Sequence, residues 1–191
     1  RGINLMGLFD SIFGKKKFNA EVEICAAIIK KCYLYDTIKY ISFLEGKIGE
    51  LPDRDVGGLD MFLQSLAVAI VIYSIEKKYQ ERGDSLAKAF MNTLRETLKK
   101  GGQKDQITEE QLQLAKRFFV ILQEDLRHGN QMAFIDATQN LEINYGRKWE
   151  KLNPATIDFC QWVEYFINEI TTLTIKLIGI AEDEYDYKPS T

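Results

Sequence analysis

Apolar residues recur along most of this chain in three- and four-residue steps, the period of a helix with one covered face. Val22, Cys25, Ala26, Ile29, Cys32 and Tyr33 make the first such stripe, with Asn19 placed to cap a helix from Ala20. Ile38, Ile41, Leu44 and Ile48 extend it behind a cap at Asp36 or Thr37. Gly49 to Gly58, rich in glycine and charge and holding Pro52, predicts a loop. Leu59 to Arg82 then predicts a central helix. Nearly every residue from Leu66 to Ile75 is apolar, so this helix is expected to be buried on most sides. Gly83 ends it and Asp84 caps the next helix, whose core face is Leu86, Ala89, Phe90, Leu94 and Leu98, stopped by Gly101-Gly102.

Thr108-Glu109-Glu110-Gln111 reads as a capping box, with Ile107 and Leu112 in the staple positions around it. The helix behind it carries Ala115, Phe119, Leu122 and Leu126 and closes near His128-Gly129. Asn130 can cap a further helix through Ala133, Ala137 and Leu141, and Gly146 interrupts it. Asn153-Pro154 has the form of a helix start, a capping residue followed by proline. Cys160, Val163, Ile167, Ile170, Thr174 and Leu177 then form a stripe suited to packing along a neighbouring helix, down to about Ile180. No segment alternates with period two for long enough to predict a strand.

The expectation is an all-α fold, a single helical bundle of about six to eight helices around a buried central helix at about 59–82. The domain would span 19–181, with an amphipathic, basic segment at 1–18 and an acidic, disordered tail at 182–191. Met6 is a candidate native start, with residues 1–5 an extension ahead of it.

Bulk composition narrows the function classes. At 191 residues the chain is long enough to bury a core without metals or disulfides. Its net charge of −3 carries no whole-protein nucleic-acid footprint, and basic residues interleaved with aromatics are not evident. The charge is unevenly spread. Residues 1–104 hold 17 Lys/Arg against 13 Asp/Glu, net +4, while residues 105–191 hold 8 against 15, net −7. Cys25, Cys32 and Cys160 are odd in number and form no C-x-x-C, and no N-x-S/T sequon occurs, which points to a reducing, cytoplasmic compartment. The longest apolar run, Leu66 to Tyr73, is short against the roughly 20 residues of a membrane span, so none is expected. The N-terminal apolar stretch is followed rather than preceded by lysines, unlike a signal peptide.

Catalytic chemistry is poorly supplied. His128 is the one histidine, which excludes zinc sites needing two and leaves Asp125-x-x-His128 without the second pair of a di-iron site. No phosphate- or dinucleotide-binding glycine pattern appears. The expectation is therefore a non-enzymatic protein, with no cofactor and no metal.

The best functional lead is the start of the chain. Leu8, Phe9, Ile12 and Phe13 are neighbours on one face if helical, and Lys15, Lys16 and Lys17 follow at once. Such aromatic-plus-lysine segments lie at membrane interfaces, with about 1 kcal/mol per lysine near anionic lipid. An anionic membrane surface or a protein partner is thus the expected target, with the protein cytoplasmic or membrane-associated and a homo-oligomer among the assemblies to consider. Met6-Gly7-x-x-x-Ser11 also fits the loose myristoylation pattern.

Two similarities suggest protein partners. Tyr79-Gln80-Glu81-Arg82-Gly83-Asp84, with Ala87 and Phe90, resembles a tetratricopeptide-repeat turn, without a second copy about 34 residues away. Leu51-Pro52-Asp53, Gly57-Gly58, the long apolar helix after them, Leu98-x-x-x-Gly102-x-x-Asp105 and Phe118-Phe119 resemble the ubiquinol–cytochrome c chaperone family over about residues 45–125. That resemblance implies an all-helical assembly factor. Leu59 stands where the family has an arginine, and Lys99-Lys100 replace its arginine–glutamate pair. An assembly chaperone is accordingly the alternative reading, and a small-molecule-binding helical bundle the third.

Overall fold

The computed structural model describes residues 20–33, 37–128, 149–153 and 156–185. Among them the chain is mostly helical, with no strand. Helix α1 spans Ala20–Ile28 and passes into a π-helical turn, Ile29–Tyr33. Then come α2 (Thr37–Ile48), α3 (Asp53–Tyr79), a 3-10 turn (Gln80–Gly83), α4 (Asp84–Lys100), α5 (Asp105–His128) and α6 (Ile157–Tyr185).

Helix α3 organises the rest. Leu59, Phe62, Leu63, Leu66, Ala69 and Ile70 are buried on one side of the helix, and Met61, Ala67, Val68, Val71 and Ile75 on the opposite side. An element apolar all round has to be enclosed. Here α5 and α6 pack along α3, with α2 and α4 covering more of it, while α1 sits against α4 and α6. Ser65 and Ser74 lie within this buried surface because each hydroxyl donates to the carbonyl one turn back, to Met61 and Ile70 at 2.8 and 2.7 Å. By length and composition alone, one window in the stretch Asp53–Lys100 is long and apolar enough to cross a membrane. Most of that window is buried in the protein, as in the core helix of a folded domain.

An aromatic cluster joins four helices. Phe62 of α3 meets Phe118 of α5 edge-on at 5.0 Å between centroids, and lies 5.9 Å from Phe159 and 6.4 Å from Trp162 of α6. The Trp162 indole N–H donates to the Tyr40 carbonyl of α2 at 2.6 Å, and the Tyr40 ring meets Phe166 edge-on at 4.8 Å. Burial of each such ring contributes about 1.5–3 kcal/mol. The periodicity had assigned Ile38 and Phe119 to the core. The structure buries Tyr40 and Phe118 instead, leaves Ile38 exposed and half-buries Phe119.

Several helix ends differ from expectation. The central helix starts at Asp53 rather than Leu59, so Gly57-Gly58 lie inside it and the loop shrinks to the residues around Gly49. Asp53 and Asp55 in its first turn favour that start through the helix dipole. Gly58 is needed for another reason: a Cβ there would sit 2.6 Å from the Trp149 ring. The helix ends at Tyr79, and the turn at positive φ belongs to Gln80 (φ 55°), not Gly83. Helix α5 starts at Asp105, so Thr108 and Gln111 are already helical and form no capping box; the Thr108 hydroxyl instead bonds the Lys104 carbonyl. Helix α6 is capped by Thr156, whose Oγ1 accepts the Phe159 N–H at 3.3 Å, rather than by Asn153. It runs on to Tyr185, past the boundary expected near 181. The helix expected from Asn130 lies outside the described residues.

One carboxylate fastens a distant segment onto the start of α3. Asp55, fully buried, accepts three successive backbone N–H groups, from Glu150, Lys151 and Leu152, each at 2.9 Å. Three charge-assisted bonds compensate for burying the charge, and Leu152 is thereby held in the core. Asp55→Asn keeps the volume but puts an amide donor where an N–H must be accepted. It is expected to lower stability by about 2–3 kcal/mol, read as a lower urea midpoint at unchanged slope.

Candidate functional site

The residues singled out as a docking element, Leu8, Phe9, Ile12, Phe13, Lys15, Lys16 and Lys17, lie outside the described residues. They directly precede the helical domain, whose α1 begins at Ala20. The side chains of Cys32 and His128 are likewise outside the description.

The reactive-looking groups that are described hold helices together. The Cys25 thiol is buried and donates to the Leu86 carbonyl at 3.9 Å, tying α1 to α4. Burial, helped by the nearby Glu21 carboxylate, pushes its pKa up to about 12. A thiol held protonated in this way is no nucleophile. Cys160, half-buried in α6, is also raised by burial. Glu182 near the end of α6 accepts the Tyr79 hydroxyl at 2.6 Å and pairs with Lys78. Burial alone would raise that carboxyl; the bonds from Lys78 and Tyr79 and the Lys78 charge outweigh it and hold it below its ordinary value. Glu76, raised by burial and by Asp84, accepts the Gln123 amide at 3.2 Å and so links α3 to α5.

A chain of side-chain bonds lies nearer the start of α3. The Gln103 amide donates to Gln111 at 2.7 Å, Gln111 to Gln64 at 2.7 Å, and Gln64 to Asp60 at 3.1 Å; Asp60 also accepts the Thr37 hydroxyl. Each amide in the run donates towards Asp60, so the order of donors and acceptors sets the register of α2, α3 and α5. Among the described residues no group of His, Cys, Asp and Glu is arranged to hold a metal ion.

What the described surface offers is an exposed apolar and aromatic area on α2 and α6. Phe43 and Tyr165 are half exposed and touch across the two helices, 5.7 Å between ring centroids. Lys47 lies over the Phe43 ring at 5.3 Å and forms an ion pair with Asp158 at 3.8 Å. Ile157 (72% exposed) and Ile175 (47%) continue the area along α6. Reading the sequence for the buried stripe of this helix passed over these residues. Their signal was present in the same helix: Ile157, Gln161, Tyr165, Asn168, Thr172 and Ile175 keep three- and four-residue steps without a charge.

Known proteins bring no further information. No protein family, curated protein or solved structure matches this chain.

Two outcomes test the assignments above. Iodoacetamide at about pH 8 should leave Cys25 unmodified in the folded protein and modify it rapidly in denaturant, read by peptide mass spectrometry; rapid labelling of the native protein would contradict the burial. Glu182, with its folded pKa depressed, contributes stability above its ordinary pKa of 4.5 and loses it as the pH falls through the folded value. The gap in thermal midpoint between the natural protein and Glu182→Gln should therefore narrow steadily from about pH 6 to pH 3.

Proposed function

We propose that this chain is a non-enzymatic helical interaction or regulatory protein, a single bundle of six to eight helices that docks reversibly on an anionic membrane face. The contact element is Leu8, Phe9, Ile12 and Phe13 with Lys15, Lys16 and Lys17. The observation that carries the reading is that segment: four large apolar side chains in six positions, then three successive lysines, at the edge of a helical domain. The uneven charge supports it, net +4 over residues 1–104 and −7 over the remainder, since the basic part contains the proposed contact. The structural employment of Cys25, Asp55, Asp60 and Glu182 supports a role in contact rather than in catalysis. A segment this short anchors weakly, so binding would respond to lipid charge and to salt.

Co-sedimentation with vesicles tests it. Binding to vesicles containing phosphatidylserine, little binding to neutral ones, and loss on deleting residues 6–17 are expected. Equal binding to both vesicle types, or binding that survives the deletion, overturns it. Capture of a stable protein partner that also needs the segment would move the reading to a protein target, and one needing residues 45–125 would favour the assembly-chaperone alternative suggested by the resemblance there.

A further inference from the structure

The turn between α3 and α4 depends on one strained residue. Tyr79, Gly83 and Asp84 have right-handed helical torsions, and Glu81 and Arg82 lie in the 3-10 turn between them. Gln80 departs from them, at φ 55° and ψ −135°, and is the one non-glycine with positive φ among the described residues. Glycine adopts such a conformation readily, and a residue with a side chain is strained in it. The turn is tight in two further ways. Gly83 folds back onto Ile75 so closely that a Cβ there would lie 3.1 Å from the Ile75 carbonyl oxygen. Glu76, raised first by burial, is raised further by the Asp84 carboxylate that the turn brings near it. The sequence itself demands no break here, since no proline occurs between Pro52 and Pro154. Helical torsions at Gln80 would join α3 and α4 into one helix, Asp53–Lys100, of 48 residues. Glu76 and Asp84 would then stand about 12 Å apart along its axis.

The two sides of the turn are incomplete without each other. Helices α1 to α3 precede it and α4 to α6 follow it. Helices α5 and α6 pack along α3, α1 packs on α4 and α6, and α2 packs on α6. The bonds Cys25–Leu86, Tyr40–Trp162, Gln64–Gln111 and Tyr79–Glu182 all join one half to the other. We propose that the Gln80–Gly83 turn is the hinge of a domain-swapped dimer: it opens, α3 and α4 become one helix, and the first half of each copy folds onto the second half of a second copy. The contacts between halves are kept, now made between chains, so the two forms differ chiefly at the turn and in the entropy of association. Opening relieves Gln80, Gly83 and the Glu76–Asp84 repulsion once in each chain. Concentration therefore selects the form. Exchange is slow, because the halves must part before they pair again.

Refolding the full chain from urea tests the proposal. At about 1 μM it should give monomer, and at about 500 μM a dimer that persists for hours after dilution, read by size-exclusion chromatography with light scattering. Isotopically heavy and light chains are then refolded together at the higher concentration, and Lys78 is coupled to Glu182 with a carbodiimide. The pair now joins two chains, so roughly half of the dimer's cross-linked peptides should hold both isotopes. Gly83→Ala crowds the turn and favours the continuous helix, and should raise the dimerisation constant about thirtyfold, the helix preference being counted once in each chain. Gln80→Gly relaxes the turn and weakens the helix, and should lower that constant about as much. Circular dichroism checks that both variants stay folded. Monomer after refolding at every concentration, dimer cross-links that each hold a single isotope, or variants that fail to shift the dimer in opposite directions overturn the proposal.

Discussion

The enclosure of α3 is the constraint on which the other elements depend. A helix with Leu59, Phe62, Leu66 and Ile70 buried on one side, and Met61, Ala67, Val68 and Ile75 on the other, has no face suited to water along its middle. Every neighbour is therefore needed to cover part of it, and each neighbour can afford a polar outer face. The net stability of a domain is only about 5–15 kcal/mol. Exposing one side of α3 would remove several side chains' worth of burial at about 1.5–3 kcal/mol each. The aromatic contacts around Phe62 are part of this covering, since α5 and α6 both reach the same ring.

Apolar burial has no direction, so it leaves open how the helices slide and which ends meet. Directional bonds settle that. The Trp162 indole bonded to the Tyr40 carbonyl sets α6 against α2, the Cys25 thiol sets α1 against α4, and the run from Gln103 to Asp60 sets α5 against α3. Asp55 does the same for a loop about a hundred residues away in sequence. These groups carry the residue types that would draw attention as chemistry in a cleft. Their geometry shows them engaged in holding helices.

Much of the helical architecture was legible in the order of residues, because a three- and four-residue apolar period needs no knowledge of the partner. The stripes Leu86, Phe90, Leu94, Leu98 and Val163, Ile170, Thr174 are the buried faces of α4 and α6. The ends were less legible. Gly57-Gly58 read as a loop because glycine breaks isolated helices, and only the approach of Trp149 explains why glycine stands at position 58 inside one. Thr108 to Gln111 read as a capping box because that spacing satisfies amides locally; in the fold Gln111 is drawn away to Gln64 on another helix. Asp55 gave no local signal at all, since its three donors come from a segment about a hundred residues later. By itself the sequence determined that the chain is helical and that its longest apolar helix would be central, since both follow from periodicity and the cost of wetting apolar surface. Which polar groups lock it, where the helices stop and which face of α6 is left open were decided only in the tertiary structure, because each depends on an atom supplied by a segment remote in sequence.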